Sequence, residues 1–159
     1  MRKTLDGRIF NTMAADRSSR TSIMEHLALA CELDLQEFCQ RLQTVLNLPE
    51  FSFYCERLTE WGFIELGYIE YNVSRPYHPD MLQKWDATVP PGCNFAISLI
   101  LYREHPHAGD HEWSFENLAV PIGQIIANEF QAEVHYHRSW FGAGLNTERK
   151  ETFQPTAVH

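Results

Sequence analysis

The stretch Phe95-Ala-Ile-Ser-Leu-Ile-Leu-Tyr102 restricts what this chain can fold into more than any other feature. It is apolar on both alternating faces and is interrupted only by Ser98. That is strand length, far short of the about eighteen apolar residues that cross a bilayer. A strand with two apolar faces must be covered on both, so it belongs in the centre of a sheet. A chain of 159 residues supplies one such core and not two. The expectation is a single domain over residues 1–159, α/β or α+β, with a small sheet packed against two or three helices. Residues 1–3 and 145–159 are expected to lie on the surface as tails.

Helical spacing and punctuation divide the remainder. Ser22 and Glu25 have the spacing of a capping box, and Ile23, Leu27, Ala30 and Cys31 follow at helical intervals, which predicts a helix over 22–32. Asp34 and Glu37 repeat the signal ahead of Leu35, Phe38, Cys39, Leu42, Val45 and Leu46, a second helix that Pro49 ends. Phe51, Tyr54, Leu58 and Trp61 sit three and four apart and predict a short third helix stopped by Gly62. Residues 63–73 read as one strand whose apolar parity changes at Gly67, as a bulge would produce. Residues 76–93 hold four prolines and form a long connection with a helical piece at 81–85. Pro121 opens a helix to about residue 130, and a strand follows with Val134 and Tyr136 alternating with His135 and His137. At the start, 4–13 suits an edge strand and 14–20 a loop.

Charge is placed unevenly within a net of −8. Between Glu25 and Glu70 nine acids face two bases, and 104–133 carries six acids and no Lys or Arg. Such a surface repels nucleic acid and attracts a basic partner, although ordinary solubility calls for acids too. The first ten residues lack the apolar core of a secretion signal, and Cys31, Cys39, Cys55 and Cys93 contain no C-x-x-C pair. Both points favour a cytoplasmic protein with reduced thiols, three of them expected in the core.

Chemistry-bearing motifs are sparse. No nucleophile elbow, P-loop or dinucleotide fingerprint occurs, so no cofactor and no catalytic group is expected. His135 and His137 share a strand face and can reach one metal ion, with Asp110, His111 or Glu112 as a third ligand, beside His105 and His107. Plain polar alternation produces the same pattern. His78, Asp80 and Asp86 offer an acid and a base, yet a proline-rich loop uses such residues for its turns. Arg138, Trp140 and Phe141, with Trp85 and Trp113, suit either an interaction hot spot or closure of the core.

The stretch from Asp34 to Trp61, an acidic amphipathic helix running into Leu46-Asn47-Leu48-Pro49-Glu50-Phe51 and then Glu56-Arg57-Leu58, resembles part of barstar, an intracellular ribonuclease inhibitor. It lacks that family's tyrosine-glycine step after the turn. The blocks Asn72 to Tyr77, Gly92 to Phe95 and His135 to Trp140 look like those of bacterial toxin immunity proteins. The resemblance implies a protein that neutralises a cognate toxin, one with a basic active-site surface, and performs no catalysis. The expected contacts are Asp34, Glu37, Glu50, Glu56, Glu60 and Trp61. The alternatives are a small metal-dependent enzyme built on His135, His137 and His111, or an accessory subunit covering an apolar partner.

Overall fold

The computed structural model describes residues 22–67, 69–102, 119–141 and 149–156. The expected edge strand at 4–13, the loop at 14–20 and the residues 103–118 lie outside them. Among the described residues ten elements follow in order: β1 (Ser22–Leu29), α1 (Leu35–Leu46), β2 (Ser52–Cys55), β3 (Thr59–Leu66), β4 (Ile69–Pro76), α2 (Met81–Trp85), β5 (Phe95–Tyr102), α3 (Val120–Phe130), β6 (Val134–Phe141) and β7 (Arg149–Phe153). The strands form one seven-stranded sheet, β2-β3-β4-β5-β1-β6-β7, with every neighbouring pair antiparallel. The class is the expected mixed α/β one, with a larger sheet. Within it, β1-α1-β4-β5-α3-β6 has the connectivity of a split β-α-β-β-α-β unit.

β5 occupies the middle of the sheet, as its two apolar faces require. On one face α1 lies over β3 and β4, α3 lies over β6 and β7, and the helices touch each other. Phe38 joins three elements, stacking on Phe95 at 4.1 Å and on Phe130 at 4.3 Å between ring centroids. Leu27, Leu29, Val73, Ile97 and Tyr136 fill the same layer. Each buried Leu or Phe there contributes about 2 kcal/mol by leaving water. Asp34 caps α1 by accepting from the Glu37 amide at 2.8 Å, and Asn47 ends it in the left-handed region.

Four assignments differ from expectation. The predicted helix at 22–32 is β1, which pairs along its two edges with β5 and β6 while the helix-side core and the β4–β5 connection cover its two faces, so the segment lacks the polar alternation of a half-exposed strand. The predicted helix at 51–61 is β2, a turn and the start of β3, with Trp61 and Gly62 inside the strand. The parity change at Gly67 is a chain reversal between β3 and β4, made at φ +66, rather than a bulge in one strand. Residues 149–153, expected in a tail, pair with β6 as β7.

Burial also reassigns an acid. Glu25 is 0% exposed on the helical face, where its carboxylate accepts from the Ala119 amide that leads into α3. Arg138, also buried, stands opposite it in the β1–β6 register. A negative charge at a helix start is favourable, and its removal strands buried polar groups. Glu25→Ala is expected to lower the unfolding free energy by about 3 kcal/mol in urea titration, more than the ~1 kcal/mol typical of a point change.

Candidate functional site

Two features of the described surface carry chemistry: a polar row on the face opposite the helices, and an edge rich in aromatics and acids.

On the face opposite α1 and α3, the sheet register lines up Asn72, Ser98, His26 and His137 on β4, β5, β1 and β6. His26 Nδ1 lies 2.9 Å from Ser98 Oγ, and its ring stacks on that of His137 at 4.6 Å and 23°. The connection between β4 and β5 crosses this face and seats Leu82, Val89 and Cys93 against Ala28. It thereby brings Asp86 Oδ2 to 3.1 Å from His137 Nε2, while Asp86 Oδ1 accepts from the Thr88 amide at 3.0 Å. Asn94 fixes the end of the connection by accepting from the Cys31 amide at 2.9 Å and donating to the Cys31 carbonyl at 2.8 Å.

The electrostatics follow from this packing. Burial, then the neighbouring His137, pushes His26 down to about 3 against the opposing pull of Asp86. The hydrogen bond from His137, assisted by Thr88, holds the Asp86 carboxyl well below the usual carboxylate range despite burial. A base so weakened is a poor proton acceptor near neutrality. Ser98 sits mid-strand between two neighbours, where the ladders occupy backbone amides that an oxyanion would need. The row is built to hold the connection on the sheet.

His135 and His137 do share this face, as their spacing implies. His135 turns to Glu133 at 3.1 Å, whereas His137 is taken by Asp86 and His26. Among the described residues no three His, Cys, Asp or Glu side chains converge on a metal position. His105, His107, Asp110, His111, Glu112 and Trp113 lie outside them. No sequence pattern links His26 to Ser98, because they lie 72 positions apart and only the β1–β5 pairing joins them. All four cysteines are free, two of them buried rather than the expected three, and burial pushes Cys39 up to about 12.

The second feature is β2, the sheet edge opposite β7, all four of whose residues are exposed. Phe53, Tyr54, Leu58 and Tyr77 are four of the six exposed large apolar side chains among the described residues. They gather here because the Tyr77 amide donates to the Leu58 carbonyl at 3.0 Å and Tyr54 stacks on Trp61. Phe53 lies over Gly62, where an added Cβ would come within 2.9 Å of Cys39 Sγ and 3.2 Å of the Phe53 ring. Of the predicted contacts, exposed Glu50 precedes β2, half-buried Glu56 begins its turn, and Glu60 is opposite Cys55 and bridged to Arg75 at 2.9 Å. Asp34 and Glu37 are exposed at the far end of α1. Trp61 is fully buried and supports Tyr54 from within.

The backbone phase of the edge is set by the Glu56 amide, which donates to Thr59 at 2.8 Å. Antiparallel alternation then places Tyr54 and Ser52 in hydrogen-bonded pairs with β3 and turns the amides and carbonyls of Phe53 and Cys55 outward. The next outward amide, that of Phe51, is already satisfied by Gln43 Oε1 at 3.1 Å.

A pH dependence follows from the polar row. The fold keeps His26 neutral down to about pH 3, whereas the unfolded chain takes up that proton near 6.5. The unfolded state therefore binds more protons in that window, and stability falls as pH falls, by up to ~1.4 kcal/mol per pH unit. The depressed Asp86 adds a further loss as pH drops below 3.8. Urea unfolding between pH 7 and 4 is expected to show this slope in the wild type and a clearly shallower one in His26→Asn.

The chain matches no family model, no curated protein and no solved structure, so its function must be argued from the chemistry of its own surface.

Proposed function

We propose that this chain is an immunity-type protein: a cytoplasmic binding protein that neutralises a cognate toxin domain, covers its basic active-site surface and has no catalysis of its own. The observation that carries this reading is the corner around β2, where Phe53, Tyr54, Leu58 and Tyr77 are exposed among Glu50, Glu56 and Glu60. Exposed aromatics ringed by charge are what a protein interface requires, since rings supply buried contact and the rim supplies partner choice. Carboxylates at that rim favour a partner rich in Lys and Arg, and Asp34 and Glu37 add to the long-range attraction. The barstar-like stretch from Asp34 to Trp61 leads into the same corner. Trp61 acts indirectly in this reading, by holding Tyr54 in place.

The experiment is affinity capture with tagged protein at moderate salt, followed by assay of the captured domain with and without this protein. A stoichiometric partner with a basic domain, whose activity the protein suppresses, is the expected result. Combining Glu50→Lys with Glu56→Lys is expected to weaken binding about tenfold or more, chiefly by slowing association, and to flatten its salt dependence. Unchanged affinity and salt slope in that variant would remove the interface from this corner. A captured domain that stays fully active would overturn the inhibitor reading.

A further inference from the structure

Resting on the binding role proposed above, we infer that the partner docks by adding a basic strand to β2, extending the seven-stranded sheet by main-chain hydrogen bonds. The geometry carries this in three steps. Phe53 and Cys55 direct their backbone N–H and C=O groups away from β3, and among the described residues nothing meets them. An edge in that condition is a template for another strand unless it is blunted by charge, proline or a cover.

The two edges of the sheet differ in this respect. β7 carries Arg149, Lys150 and Glu151 in succession, with Lys150 exposed, which is how natural sheets discourage pairing. β2 is Ser-Phe-Tyr-Cys, with no charge and no proline, and its side chains alternate in a way that suits recognition: Tyr54 on one face, Phe53 and Cys55 on the other. Its shortness limits pairing to the two outward residues, enough for up to four main-chain bonds.

The charges select the occupant. Between residues 50 and 65 Glu50, Glu56, Glu60 and Glu65 stand against the single base Arg57, and with Glu60 already bridged to Arg75 the corner still keeps an excess of carboxylates. A second copy of this chain would bring the same acids edge to edge, so like charges would oppose its docking. A strand bearing Lys or Arg at alternate positions places its ammonium or guanidinium groups beside these carboxylates while its backbone pairs with Phe53 and Cys55.

The test uses the full chain and an eight-residue peptide alternating lysine and valine, with a glutamate-valine peptide as control, followed by amide NMR. The expected result is saturable binding of the basic peptide alone, with shifts and slowed hydrogen exchange at the Phe53 and Cys55 amides. Cys55→Pro removes an outward donor that the β2–β3 ladder does not use, so the fold, judged by circular dichroism and the unfolding midpoint, is expected to persist. Its affinity for the basic peptide is expected to fall about tenfold. Failure of the basic peptide to bind, or equal binding of the acidic one, overturns the inference. So does binding that leaves the Phe53 and Cys55 amides unchanged or survives Cys55→Pro, a result that leaves an acidic interface standing without strand addition. Concentration-dependent dimerisation that Cys55→Pro abolishes would make a second copy the occupant and overturn the basic partner. The charge-reversed Glu50 and Glu56 variant tests the parent reading separately, so the two can fail independently.

Discussion

β1 stands between β5 and β6, and without it the sheet would divide into β2-β3-β4-β5 and β6-β7. A strand placed there loses water from both faces, so each face must be covered and every polar side chain on it must be met. The helical face of β1 is covered by apolar packing with Leu27 and Leu29, and its carboxylate, Glu25, finds the amide at the start of α3. The opposite face is covered by the β4–β5 connection, and its imidazole, His26, finds Ser98 and the ring of His137. Adjacent residues of one strand thus reach to opposite layers, and both layers close around the sheet through them.

Among the described residues the cluster richest in titratable side chains therefore serves the architecture. The histidine stack, Asp86 and Thr88 satisfy one another beneath the connection, at the cost of a base too weak to work near neutrality. At the β2 edge the balance is reversed: among the described residues two backbone positions point away from the sheet and four apolar side chains are exposed. Among the described residues the backbone groups of Phe53 and Cys55 meet no partner, and that edge is the feature on which the proposed binding role rests.

Much of the architecture was legible along the chain. Asp34 and Pro49 bracket α1, Pro121 opens α3, and the two apolar faces of 95–102 announce the central strand; in each case the signal is local, a cap, a ring without an N–H, or a periodicity. The misreadings share a cause as well. Phe51, Tyr54, Leu58 and Trp61 are spaced as on a helix, and Ser22 with Glu25 imitates a cap, yet both segments enter the sheet because cross-strand burial outweighs the few tenths of a kcal/mol at stake in local preference. Glu25 belongs to the acidic stretch that reads as surface charge, and its position in β1 makes it a buried group.

By itself, then, the sequence determined the mixed class, the helices α1 and α3, the central place of residues 95–102, the shared face of His135 and His137, and the acidic character of the stretch from Glu25 to Glu70. Only the tertiary structure decided which acids remain at the surface, that His26 and Ser98 complete a row with Asn72 and His137, that Trp61 is buried against Tyr54, and that β2 is an edge among the described strands. The physical reason is the range of the forces involved. Caps and periodicity act over a few residues and are written in order along the chain, whereas burial, register and edge position arise when strands far apart in sequence exclude water together.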